Sequence, residues 1–176
     1  MTWFRSLFVV FFVAATLLFS TSAFAQERPG GFGIGLGQGT IVNGISLKQH
    51  AGGSALQGVI GCFGYRGWNY SCGGIGLSGD YLVSMPIFFE ADVVALGWNI
   101  GGGGSLGFGF GNHYYRGRYY RDGVLHAAAQ FVAGLEILFP SIPLDLVLEW
   151  RPHLRIIPSP WLSPFSAGAH VRFYLN

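Results

Sequence analysis

Between Leu144 and Arg155 the side chains change character at every residue. Leu144, Leu146, Leu148, Trp150, Pro152 and Leu154 share one side, while Asp145, Val147, Glu149, Arg151, His153 and Arg155 share the other. A period of two marks a β-strand, because successive Cβ atoms point to opposite faces. The C-terminal segment repeats the pattern, with Ala169, Val171, Phe173 and Leu175 opposite His170, Arg172 and Tyr174. Leu125 to Phe139 repeats it again: His126, Gln130 and Glu136 oppose Ala127, Ala129, Phe131, Ala133, Leu135 and Ile137. Each of these strands has one oily face and one polar face.

Weaker versions of the rhythm run through the first half. Phe32, Ile34 and Leu36 alternate with glycines, and Ile45 and Leu47 alternate with Ser46 and Lys48. Ala55 to Phe63 is apolar around Gln57. Ile75, Leu77, Gly79, Tyr81 and Val83 oppose Gly76, Ser78, Asp80 and Leu82. Val93 to Phe108 is glycine-rich, with Leu96, Trp98 and Ile100 on one face. The total is eight strands, each near the ~9–11 residues that a tilted strand needs to cross a bilayer. In a membrane barrel the connections at the N-terminal end should be short and those at the other end long. Ala51 to Ser54 and Ser141 to Pro143 are short, whereas Ser84 to Asp92 is longer than the rule wants. At the opposite end Gly64 to Gly74, Gly109 to Gly123 and Ile156 to Pro164 are long, and Gln38 to Asn43 is not.

The N-terminus carries a separate signal. Arg5 precedes an apolar run from Leu7 to Phe19 broken only by Thr16, and Ala23-Phe24-Ala25 has the form of a signal peptidase site. Residues 1–25 are therefore read as a cleaved signal peptide and 26–176 as one barrel domain. The alternative is an uncleaved anchor, for which the run is short, since a spanning helix needs about 20 apolar residues.

Composition sharpens the picture. The chain is 51% hydrophobic, 16% aromatic and only 10% charged, where a soluble domain has about 25% charged residues. Yet no later segment reads as a spanning helix, and the longest candidate, Pro86 to Ile100, contains Glu90 and Asp92. Apolar composition without apolar runs is what membrane strands produce, because only one face of each meets lipid. The 29 glycines also disfavour helix. The expected fold is all-β: an eight-stranded antiparallel up-and-down transmembrane β-barrel in the bacterial outer membrane, preceded by a signal-peptide helix. Without Arg5, nine Lys/Arg face eight Asp/Glu, so no field for nucleic acid follows. Outer-membrane lipids are the expected partners. No cofactor, metal site or catalytic residue is implied.

Three groups of residues carry candidate chemistry. Lys48, Asp80, Glu136, Glu149, Arg151, His170 and Arg172 lie on the faces opposite the oily ones. They should point into the barrel, where an eight-stranded interior holds little but side chains, and where acids and bases must pair. The functional reading is a gate or proton site. The structural reading, which is favoured, is a salt-bridged plug. Cys62 and Cys72 are the only cysteines, and an even pair in an exported protein reads as a disulfide. Tyr114, Tyr115, Arg116, Arg118, Tyr119, Tyr120 and Arg121 crowd one outward loop, and Trp161 sits among prolines in another. They suit an anionic glycan, headgroup phosphate or protein ligand, or an aromatic girdle with arginines at headgroup level. Gly102-x-Gly104-x-x-Gly107 matches a dinucleotide fingerprint by letter, but it lies in a strand and opens no helix.

The eight segments, the leader and the ending His170-Val171-Arg172-Phe173-Tyr174-Leu175-Asn176 resemble small outer-membrane barrels of the outer membrane protein A and X type. Gly33-Ile34-Gly35-Leu36-Gly37, Gly44-Ile45-Ser46-Leu47-Lys48 and Leu144 to Pro152 are similar to a family of bacterial outer-surface barrels, and that resemblance implies a fold without a particular activity. The expected function is a non-enzymatic surface barrel, structural or interacting through its outward loops. Two rivals differ in kind. A lipid A deacylase-like enzyme would carry a His-x-Ser pair, but the residues two beyond the five histidines are Gly52, Tyr115, Ala128, Arg155 and Arg172. A soluble lipocalin-like carrier would need an apolar interior, which the charged faces oppose.

Overall fold

The computed structural model describes residues 28, 30–63, 65–66, 71–109, 113–115, 118–120, 123 and 125–175; the expected signal peptide lies outside them. The strands are β1 (Phe32–Gln38), β2 (Val42–Ala51), β3 (Ser54–Phe63), β4 (Tyr65–Arg66), β5 (Ser71–Cys72), β6 (Gly74–Ser84), β7 (Phe89–Glu90) and β8 (Ala95–Gly109). There follow β9 (His113–Tyr115), β10 (Arg118–Tyr120), β11 (Leu125–Phe139), β12 (Leu144–Trp150), β13 (His153–Ile157), β14 (Trp161–Ser163) and β15 (Ala167–Leu175).

Eight staves form the wall, each antiparallel to the next: β1, β2, β3, β6, β8, β11, the pair β12 and β13, and β15. β15 pairs in turn with β1 from Phe32↔Leu175 to Gly37↔His170, which closes the barrel. The seventh stave is broken at Arg151-Pro152. Proline has no N–H to give the ladder, but the Pro152 carbonyl accepts from Phe131 N at 3.0 Å and Arg151 N donates to Ser166 O at 2.7 Å, so the stave runs on.

The register fixes the shape. Partner follows partner from Asp145 through Arg172, Gly35, Ser46, Val59, Ser78, Ser105 and Ala128 to Arg155. One circuit thus starts at Asp145 and returns to the same stave at Arg155, ten residues further along. For eight strands such a stagger tilts the staves by roughly 40–45° and leaves room inside for side chains and little else.

The three connections at the N-terminal end are all tight, which corrects the expectation for the Ser84–Asp92 segment. Past Ser84 the chain keeps following β8: Met85 N donates to Trp98 O at 2.9 Å and Phe88 N to Leu96 O at 3.0 Å, and β7 then pairs with β8. Pro86 lacks an N–H, so the ladder skips a rung and the segment reads as a loop. The reversal itself spans only Ala91 to Val94, closed by a 2.9 Å bond. The other two turns are Gly52-Gly53, with Gly52 at φ 61°, and Pro140 to Pro143. At the far end the long connections carry structure of their own. β4 pairs with β5, β9 with β10, and β14 folds back on β13.

Alternation of burial matches the sequence pattern. Leu36, Leu56 and Leu148 point outward and are 70%, 63% and 57% exposed, while Lys48 is 1% exposed and Glu136 and Arg172 are fully enclosed. The oily faces look out and the ionic faces look in. Glycine lets the staves and their contents approach closely. A Cβ on Gly103 would lie 1.9 Å from Gly79 O, and one on Gly107 would lie 2.2 Å from the Phe63 ring.

Candidate functional site

The barrel interior is a stack of polar side chains on seven of the eight staves, all but β1, and it divides into three tiers. At the N-terminal mouth Glu136 of β11 sits at the centre. Its Oε1 accepts from Lys48 Nζ of β2 and, at 2.9 Å, from Asn99 Nδ2 of β8, and its Oε2 accepts from Arg28 Nε at 2.8 Å. Asp145 of β12 lies in the same region and accepts from Arg172 Nε at 3.1 Å and the Tyr174 hydroxyl at 2.8 Å. Tyr174 in turn lies 3.2 Å from His50 Nε2.

The middle tier is built on Glu149 and Arg151, neighbours of the seventh stave that both face inward. Arg151 joins Glu149 Oε2 through one Nη and Asp80 Oδ2 of β6 through the other. Glu149 Oε2 also meets His170 Nε2 at 3.0 Å, and its Oε1 accepts from Gln57 Nε2 at 3.0 Å. Arg172 Nη1 donates to Gln57 Oε1 at 2.6 Å, linking this tier to the one below. Gln130 of β11 donates to Asp80 and, at 3.0 Å, to Ser78, and accepts from Ser105 at 2.6 Å.

Towards the loop end the filling turns apolar. Ile41, Val42, Val59 and Phe63 form a buried cluster. The Phe63 ring lies 4.5 Å from that of His126, and Arg155 donates to the Ser159 carbonyl at 3.1 Å.

All seven charged residues expected inside are inside: Lys48, Asp80, Glu136, Glu149, Arg151, His170 and Arg172 are each buried. They fall into two bonded sets: Lys48 and Glu136 with Arg28 and Asn99, and Asp80, Glu149, Arg151, His170 and Arg172 with Asp145, Gln57 and Gln130. Four carboxylates (Asp80, Glu136, Asp145, Glu149) each contact at least one of four cations (Arg28, Lys48, Arg151, Arg172). Opposite charges bonded this densely are what a low-dielectric interior requires. Neutral members that carry no charge signal in the sequence, Ser46, Gln57, Asn99 and Gln130, complete the network.

One part of it has the form of a catalytic relay. Ser46 Oγ lies 2.9 Å from His170 Nδ1, and His170 Nε2 lies 3.0 Å from the Glu149 carboxylate. A hydroxyl, an imidazole and an orienting carboxylate in hydrogen-bond sequence can activate a nucleophile. Here Ser46 has no exposed surface, and Glu149 is also held by Arg151 and Gln57. The arrangement fixes the imidazole between two strands that are distant in sequence.

The other candidates lie at the loop end. Cys62 and Cys72 form a disulfide, Cα to Cα 5.2 Å, tying the end of β3 to β5 across the second outward connection. In the tyrosine- and arginine-rich loop the backbone pairs Tyr115 with Arg118 and Tyr114 with Tyr119, and Tyr120 pairs with His113. Arg116 and Arg121 lie outside the described residues. Trp161 stands 55% exposed on β14, which belongs to the barrel sheet and not to that hairpin's. Among the described residues no cluster of His, Cys, Asp and Glu could hold a metal ion, and no helix is long and apolar enough to cross a membrane, which says nothing of a β-barrel.

Comparison with family models, with curated proteins and with solved structures finds no match to this chain. The architecture therefore stands on its own geometry: a closed eight-stranded antiparallel barrel with an ionic interior.

Proposed function

We propose that this chain is an exported bacterial outer-membrane barrel of the outer membrane protein A and X type, non-enzymatic, with a closed salt-bridged interior. It acts as a structural or surface-interaction protein. The observation that carries this reading is the inversion of the barrel. Large apolar side chains such as Leu36, Leu56, Leu77, Leu106, Leu148 and Val171 cover the outer wall on every side, while the ion pairs lie within. Soluble monomers rarely expose a contiguous apolar patch beyond several hundred Å², and an oily belt around a whole barrel needs hydrocarbon to cover it. A lipocalin-like carrier would have the opposite arrangement.

The outward loops are the means of interaction. Tyrosine and arginine together suit lipid headgroup phosphates or an anionic glycan, and the Cys62–Cys72 disulfide would hold the neighbouring loop at the oxidising cell surface. The experiment is fractionation of expressing cells, followed by gels of boiled and unboiled samples. Recovery in the outer membrane with a heat-dependent mobility shift is expected. Recovery in the soluble periplasm without such a shift would refute the membrane reading.

A second reading rests on the Ser46–His170–Glu149 relay: a membrane-embedded, lipid-modifying hydrolase. A fluorophosphonate probe separates the two. Labelling of Ser46 in the folded protein would favour the enzyme, whereas an unlabelled barrel favours the plug.

A further inference from the structure

The cation at the N-terminal mouth comes from outside the barrel wall. Arg28 precedes β1, yet its guanidinium reaches into the interior, where its side chain is 9% exposed. Three oxygens converge on it. Nε donates to Glu136 Oε2 at 2.8 Å, and Nη2 donates to the backbone carbonyls of Met85 at 2.8 Å and Trp98 at 3.2 Å. A hollow in the wall admits it: an added Cβ on Gly97 would lie 3.2 Å from Arg28 Nη2 and 3.6 Å from Glu136 Oε2. The carboxylate is held in place from its other side, since Lys48 and Asn99 both bind Oε1.

These features separate Arg28 from the other interior cations. Lys48, Arg151 and Arg172 stand on staves and leave only if the wall opens. Arg28 precedes the first stave and belongs to none of them. Lys48 already neutralises Glu136, so withdrawal of Arg28 uncovers one carboxylate oxygen and two carbonyls without stranding a buried charge. A planar fork of donors fits such an oxygen set better than an ammonium, which is a point charge.

We propose that the N-terminal mouth is a guanidinium-binding site, made by Glu136, the Met85 and Trp98 carbonyls and the Gly97 hollow, and filled in cis by Arg28. Arg28 is thus a removable stopper, and the ligand class is a side-chain guanidinium. This inference depends on the barrel geometry alone and holds whether or not the outer wall faces lipid.

The test uses the intact protein as purified from the expressing cell, its Arg28→Ala variant, and arginine methyl ester as the probe. Calorimetric titration and melting temperature are the readouts, with lysine methyl ester as the ammonium control. The variant is expected to bind arginine methyl ester saturably, with a rise in melting temperature, and to bind the lysine ester at least tenfold more weakly. The wild type, already filled, is expected to bind neither. Adding Gly97→Leu to Arg28→Ala should abolish binding by occupying the hollow while leaving Glu136 and Lys48 paired. A folded Arg28→Ala variant that fails to bind, equal binding by wild type, or binding that survives Gly97→Leu would each overturn the proposal. Should Arg28→Ala not fold, arginine methyl ester during refolding is expected to restore the yield, and failure to do so overturns it equally.

Discussion

Replacing Glu149 by Ala removes the central acid of the middle tier. Its carboxylate accepts from Arg151 Nη1, from His170 Nε2 at 3.0 Å and from Gln57 Nε2 at 3.0 Å. Breaking a buried pair by deleting one partner generally costs about 3–5 kcal/mol, because the other charge is left uncompensated. Arg151 would keep Asp80, which places its own share near the lower end of that range. The stranded Gln57 amide and His170 imidazole each add a buried group without its partner, worth roughly 1–3 kcal/mol apiece where nothing replaces it. Relaxation and entering water offset part of this, so the expected loss is about 3–5 kcal/mol. Glu149→Gln, which keeps the shape and one acceptor, should lose markedly less. The assay is urea unfolding in bilayers or micelles, followed by circular dichroism and the gel mobility shift. An Ala variant within about 0.5 kcal/mol of wild type, the range of an ordinary surface substitution, would refute the view that the interior is held by this network.

Two other perturbations follow from the same geometry. Reducing the Cys62–Cys72 bond, or replacing both residues by Ser, opens a loop of ten-residue separation and should cost a little under about 3 kcal/mol on the chain-entropy account, read as a shift in urea midpoint with and without reductant. Gly103→Ala should block assembly, because its Cβ would lie 1.9 Å from Gly79 O, whereas Gly79→Ala should assemble normally because its Cβ meets nothing within 4 Å; yield of the heat-modifiable form distinguishes them.

Most of the wall was legible because the side-chain period of a strand is two and the chemistry of its faces differs. Leu144 to Arg155 alternates so regularly that Asp145, Glu149 and Arg151 could be placed inside and Leu148 outside before any coordinates, and that is where they lie. Where alternation involves glycine and neutral polar residues the signal fades. Ser46, Gln57, Asn99 and Gln130 are structural members of the network, yet nothing in their composition separates them from strand surface. An inward-position rule that admits glutamines as well as charges finds Gln57 and Gln130, while Ser46 and Asn99 stay hidden among small and neutral strand residues. Arg28 is not legible because it belongs to no periodic segment; its role depends on where a residue before the first stave falls in space. The Ser46–His170–Glu149 relay escaped for a related reason. A local His-x-Ser search cannot see two residues that stand on β2 and β15 and meet only across the closed barrel. The stave past Ser84 has the sequence of a connection because Pro86 interrupts the ladder, although the hydrogen bonds resume at Phe88.

A membrane barrel requires two adjacent residues to look opposite ways: Leu148 outward into hydrocarbon and Glu149 inward. A single tryptophan at position 148, introduced as Leu148→Trp with the native tryptophans replaced by Phe, reports this directly in reconstituted bilayers. Strong quenching by lipids brominated along their acyl chains, with little quenching by aqueous acrylamide, is the predicted result. Efficient quenching by acrylamide with none from the brominated chains would contradict it.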